Sequence, residues 1–150
     1  MLNLKQFLPY QLSVLEQLIS QQIARRYEGK YELNRMQWRV LASIAMFKDS
    51  SASDICQFTH MDKMQVSRAI KGLVEMGWIH QDKCPTDQRK TVLNLTAKGR
   101  KNYARIIPEV LDEQENIFSA FTFEERQSFR QLIDKLSIAI EEKLASTSPD

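Results

Sequence analysis

Hydrophobic positions recur at three- and four-residue intervals along most of the chain, and they outline a series of helices. From Pro9 to about residue 28, Leu12, Leu15, Ile19 and Ile23 form one stripe, widened by Val14 and Leu18, and Pro9 suits a first helical turn. Asn34 is placed to cap a second helix, where Met36, Trp38, Val40, Leu41, Ile44, Ala45 and Phe47 make much of the circumference apolar. Ser51 or Ser53 opens a short third helix with Ile55, Cys56 and Phe58. Asp62 caps a fourth, with Val66, Ala69, Ile70, Leu73 and Val74 as its expected buried face. Gly77 follows where a helix end favours a left-handed residue.

The period then changes. Trp78–Gln81 and Thr91–Leu95 have the β-branched and aromatic content of strands, and Pro85-Thr86-Asp87-Gln88 between them has turn chemistry. This predicts a β-hairpin whose tip is ringed by Lys83, Arg89 and Lys90. Thr96 caps a long helix with a basic start (Lys98, Arg100, Lys101) and an expected kink at Pro108. Thr122 and Glu125 make a capping box for a last helix striped by Phe129, Leu132, Ile133, Leu136 and Ile140. Only Thr59-His60-Met61 joins the third and fourth helices, which is helix-turn-helix spacing. The expected fold class is therefore mainly α (α+β): a winged helix-turn-helix with a two-stranded wing and long N- and C-terminal helices.

Composition narrows the function. At 150 residues the chain has the length of one domain. Glycine and proline total eight, which disfavours glycine-rich phosphate loops and turn-dense β folds. The longest apolar run, Ile44 to Phe47, is far short of a membrane span, and Met1 to Lys5 lacks an apolar signal core. A soluble cytoplasmic protein, in contact with the nucleoid and with no membrane partner, is expected. Two cysteines and two histidines form no Cys-x-x-Cys or His-x-x-x-His pair, so no metal site and no cofactor are expected. No nucleophile, base and orienting group stand out together, so no catalytic residue is assigned and the chain is not read as an enzyme.

Net charge is +2, but it is unevenly spread. From His60 to Arg105 ten basic residues face four acidic ones, and from Ile106 onward four basic residues face ten acidic ones. An electropositive middle suits contact with an anionic polymer. The fourth helix focuses it. Opposite its apolar face lie Lys63, Met64, Gln65, Ser67, Arg68 and Lys71. Gln can bond adenine and Arg guanine bidentately, and Ser and Lys suit phosphates or mixed edges. Arg89 at the hairpin tip is long enough to enter a minor groove, and Asp87 two residues earlier is placed to orient its guanidinium.

The stretch Leu33 to Leu95 resembles the MarR (multiple antibiotic resistance regulator) family of bacterial winged-helix transcription factors. The matching segments are Met36-Gln37-Trp38-Arg39-Val40-Leu41, Asp62 to Ile70, Leu73 to Ile79, and Asp87-Gln88-Arg89 before Val92 to Thr96. The resemblance implies a homodimer, with residues 1–32 and 104–150 as dimerisation helices and residues 33–103 as the DNA-binding lobe. It also implies recognition-helix roles for Lys63, Gln65, Ser67, Arg68 and Lys71, and wing roles for Asp87, Arg89 and Lys90. The partners are a double-stranded DNA operator, a second copy of the chain and a small aromatic or phenolic effector, and the function is repression. Physics supports the dimer separately. The terminal stripes, with Phe118, Phe121, Phe123 and Phe129, hold more apolar surface than a three-helix winged domain covers. Two-fold symmetry then predicts a pseudo-palindromic site.

Two inputs are open. Cys84 beside Lys83 is a candidate redox sensor, while Cys56 reads as a small core residue. Alternatively a cleft offers Tyr27, Trp38 and His60 as an aromatic wall and Arg39 as a cation for a carboxylate, although no pocket residue is assigned. A winged domain that binds a protein partner without DNA is the other reading.

Overall fold

The computed structural model describes residues 2–147; Met1 and the last three residues of the expected dimerisation segments lie outside the described residues. Among the described residues seven α-helices and one hairpin follow in order: α1 (Leu8–Ala24), α2 (Glu28–Tyr31), α3 (Arg35–Met46), α4 (Ala52–Thr59), α5 (Lys63–Glu75), β1 (Ile79–Lys83), β2 (Thr91–Leu95), α6 (Ala97–Ile117) and α7 (Phe123–Thr147). The starts of α3 to α7 follow from local side-chain hydrogen bonds, whereas α1 and α2 have no side-chain cap. Asn34 and Gln37, Ser51 and Asp54, and Asp62 and Gln65 form reciprocal capping boxes at α3, α4 and α5. Ser51, not Ser53, is the cap of α4. Thr96 Oγ1 accepts from the Gly99 amide at 2.9 Å to start α6, and Thr122 and Glu125 bond each other's amides to start α7.

The described residues fall into two compact units, one ending at Glu113 and the other beginning at Gln114. In the first, Val40, Leu41 and Ile44 of α3, Ile55 of α4, Val66, Ala69, Ile70 and Leu73 of α5, and Leu93 and Leu95 of β2 form a common core. Val74 departs from the expected face: it stays 40 % exposed, because it lies in the last turn, past the end of the packed stripe. Phe47 and Phe58 are likewise exposed and meet edge to face, their rings 4.7 Å apart. The first helix ends at Ala24, earlier than its pattern suggested, and a separate turn of helix, α2, follows. Arg26 then pairs with the buried Glu113, and Lys30 with Glu109 at 3.0 Å.

The hairpin pairs antiparallel with Ile79 opposite Leu95 and Lys83 opposite Thr91. The sequence did not reveal a third edge: Leu93 donates to the Ser50 carbonyl at 2.8 Å, a one-residue bridge that ties β2 to the α3–α4 loop. Asn94 and Asp49 reinforce it at 2.8 Å. At the far end of α5, Gly77 has φ +70°, and the Trp78 amide bonds back to Leu73. Helix α6 presses on this corner so closely that Gly99 lies directly against the Trp78 carbonyl. It runs unbroken through Pro108. In the second unit Phe118, Phe121 and Phe129 cluster, with rings 5.4–6.2 Å apart, Arg126 pairs with Glu115 at 2.5 Å, and α7 buries no residue.

A methyl group at residue 99 would overlap the Trp78 backbone, whereas one at Gly29 meets nothing. Gly99→Ala should therefore destabilise by about 1–3 kcal/mol or more in chemical denaturation, with Gly29→Ala near neutral or mildly stabilising. Equal midpoints for the two variants would contradict the close packing of α6 on the corner.

Candidate nucleic-acid interface

Helix α5 is divided lengthwise. Val66, Ala69, Ile70 and Leu73 are buried, and every candidate contact on the other side (Lys63, Gln65, Ser67, Arg68 and Lys71) is exposed. Among the described residues Arg68 has no ion pair, and Lys71 has only a loose one to Glu75 at 4.0 Å. Such cations are available to an anionic ligand without first breaking a bond.

Gln65 is different. Its side-chain Oε1 accepts from the Asp62 amide at 3.4 Å while Asp62 Oδ1 accepts from the Gln65 amide at 2.8 Å. The residue proposed to read adenine is thus also part of the helix cap. The Asp-x-x-Gln spacing carried this signal. The bond is long, so releasing the amide costs less than an average hydrogen bond, about 1 kcal/mol.

At the wing, Lys83, Arg89 and Lys90 are exposed and Asp87 is half-buried. One expectation is corrected. Asp87 does not hold the Arg89 guanidinium: its Oδ1 accepts from the Arg89 backbone amide at 3.0 Å, and the Lys90 amide donates to the Asp87 carbonyl at 2.9 Å. A two-residue separation suits a side chain capping its own turn better than one reaching a long neighbour. Asp87 therefore shapes the tip, and the Arg89 side chain projects without an ion pair among the described residues.

The basic start of α6 is also partly structural. Lys98 Nζ donates to the Met76 carbonyl at 2.8 Å, and Arg100 donates to the Leu95 carbonyl at 2.7 Å. These two cations close the end of α5 and the end of β2, so the charge excess of the middle segment overstates what is free for a ligand.

Cys84 is a free thiol, with Sγ 3.3 Å from Thr86 Oγ1. Hydrogen bonding from Thr86, with help from the Asp87 amide, holds this thiol below its ordinary range. The direction is the one expected, but the cause is the turn and not Lys83. Cys56 is half-buried and packs against the core.

A cavity of about 610 Å³ is lined by Trp38, Arg39, Ser43, Phe58, Thr59 and Tyr103, among others. Tyr27, Trp38 and Tyr103 stack in a row, at 5.0 and 5.8 Å between centroids. Tyr27 is itself buried, and burial pushes its hydroxyl pKa up to about 12. His60 does not line this cavity; it is the left-handed residue, φ +54°, that ends α4. Arg39 does line it but is paired with Glu16, whose carboxyl is held below its usual range by the Ser20 hydroxyl and by Arg39. The cation expected to meet a ligand carboxylate is already neutralised.

Residues 33–99 match the family model described as a winged helix DNA-binding domain. Residues 33–99 therefore carry a winged-helix domain, and the chain has the fold of MarR-family regulators. It is 26% identical over 123 residues to YwoH of Bacillus subtilis, an uncharacterised HTH-type transcriptional regulator, covering 82% of this chain and 88% of that one. A MarR/EmrR family transcriptional regulator from Acinetobacter sp. ADP1 superposes with a TM-score of 0.85 at 22% identity, covering 94% and 99% of the two chains. Bordetella bronchiseptica BpsR, whose DNA binding is regulated by 6-hydroxynicotinic acid, superposes with a TM-score of 0.80 at 20% identity, covering 91% and 97%. No helix among the described residues of this winged-helix chain is long and apolar enough to cross a membrane.

Removing the Thr86 hydroxyl should raise the Cys84 thiol pKa in this MarR-fold chain. In a Cys56→Ala background, Thr86→Val is therefore expected to shift the pH profile of iodoacetamide alkylation upward and to slow alkylation near neutral pH. An unchanged profile would assign the lowered pKa to something other than the turn.

Proposed function

We propose that this chain is a cytoplasmic homodimeric repressor that reads a pseudo-palindromic operator, with α5 in the major groove and the wing in the minor groove. Residues 33–103 serve as the DNA-binding lobe, and residues 1–32 and 104–150 supply the dimer interface. The observation that carries the reading is the exposed stripe of Ser67, Arg68 and Lys71 on a winged-helix domain whose wing ends in Arg89 and Lys90. Lys63 and Lys90 suit phosphates, Arg68 a guanine edge, Gln65 an adenine edge once released from its cap, and Arg89 the negative potential of the minor groove. Asp87 acts by shaping the wing turn. The effector is a small aromatic or phenolic molecule in the Trp38–Tyr103 cavity. Sensing through Cys84 is the less supported route, because the thiol is a lone one on the wing.

Dimerisation is supported by unsatisfied apolar surface in each unit. On α1, Leu8, Leu12, Val14, Leu15 and Leu18 are 38–69 % exposed, and on α7 Leu132, Ile133, Leu136, Ile138 and Ile140 are 47–63 % exposed. Faces of this kind normally mark an interface.

The test is fluorescence anisotropy against a labelled duplex from upstream of the chain's own gene, with a shuffled duplex as control. With ~6–10 phosphate contacts, affinity should fall roughly 10³–10⁵-fold between 50 and 200 mM salt. Arg89→Ala should weaken binding broadly, and Gln65→Ala should relax base preference. Wild-type-like binding by both variants would remove α5 and the wing from the interface.

The neutralised Arg39 makes a charge-neutral effector the better fit. Quenching of Trp38 fluorescence should show tighter binding of an uncharged phenol than of the matching benzoate. Glu16→Gln, which frees Arg39, should narrow or reverse that order. A wild-type preference for the benzoate would overturn the assignment.

A further inference from the structure

Among the candidate contacts on α5 one exposed side chain is not polar. Met64 is 63 % exposed in the first turn, whereas α5's other apolar residues are buried or lie at its far end. Its position fits the cationic stripe: Ser67, Arg68 and Lys71 stand three, four and seven residues after it, so Met64 shares that face, next to Lys63 at its start. Gln65, one position on, is turned back toward the Asp62 amide. The N-terminal residues of a recognition helix are the ones that approach base edges. After Lys63, whose charge suits a phosphate, the next side chain on the free face of α5 is therefore a thioether.

We infer that Met64 is a specificity residue which packs against the C5-methyl group of a thymine in each half-site. The inference rests on α5 being the major-groove helix. Thymine is the base whose major-groove edge presents a methyl group, and apolar side chains recognise it by contact. Methionine suits this role: it is unbranched and polarisable, and it adapts to an irregular surface. The charge around it fixes the occupant. Lys63, Arg68 and Lys71 surround Met64 with cations, so an apolar protein surface would have to bury or displace three charges, whereas duplex DNA neutralises them with phosphates and offers the methyl group between. This contact gives a preference for thymine that no hydrogen bond supplies.

The test uses the tightest duplex that the wild-type chain selects from a random-sequence pool, scanned by replacing each thymine with deoxyuridine. That change removes only the methyl group. At one position per half-site, wild-type affinity measured by anisotropy should fall roughly fourfold, the effect of about 0.8 kcal/mol for one buried methyl group. Met64→Ala should bind the thymine and deoxyuridine duplexes equally at that position, and Met64→Leu should keep the discrimination. Thermal unfolding should be unchanged in both variants, because the side chain is exposed. Full discrimination in Met64→Ala, or no sensitive thymine in the wild type, would overturn the inference while leaving the DNA reading intact. Failure of the wild type to select any sequence would overturn both.

Discussion

The placement of α5 depends on one close approach, that of α6 to the corner between α5 and β1. Gly77 turns left-handed, Trp78 buries its ring, and the Thr96 amide and hydroxyl bond the Trp78 and Gly77 carbonyls at 3.0 and 2.7 Å. Lys98 takes the Met76 carbonyl, and Gly99 leaves room for the Trp78 backbone. The last carbonyls of α5 accept from the Met76, Gly77 and Trp78 amides, and the carbonyls of those three residues are in turn met by Lys98 and Thr96 at the start of the next long helix. Helix α5 cannot tilt without breaking these bonds, and β1 departs from it at a set angle.

This arrangement sorts the basic residues into two kinds. Lys98 and Arg100 are bound to backbone carbonyls and hold elements together, while Arg68, Arg89 and Lys90 face solvent. Net charge along the sequence cannot distinguish them, because a cation's role depends on what lies within reach of its side chain. The same holds for acids. Asp87 reads as a partner for the Arg89 side chain yet binds a backbone amide, whereas Glu16, which no sequence pattern marks, pairs with Arg39.

Much of the fold was legible because it is local. Asn34, Asp62, Thr96 and Thr122 announce helix starts, Gly77 announces a helix end, and the shift to period two at Trp78 announces the hairpin. Less legible were features set by distant residues. The Ser50–Leu93 bridge joins positions 43 residues apart through backbone atoms that no side-chain pattern marks. The stripes of α1 and α7 are visible in sequence, but whether such a stripe is covered is a tertiary fact. The candidate residues fall on one exposed face of α5 and on the wing, yet the cap bond of Gln65 was missed because a capping box and a base-reading amide use the same side chain.

The free face of α5 has a consequence for how such a protein changes over time. Its stability resides in Val66, Ala69, Ile70, Leu73 and the corner beyond, whereas Met64, Ser67 and Arg68 are exposed and carry almost none of that load. Replacing those residues would exchange the binding vocabulary without disturbing the scaffold. On the proposed DNA reading, a lineage can therefore acquire a new address on the chromosome in single steps, each intermediate remaining folded. Gln65 is the one position where a new word would also weaken the helix that speaks it.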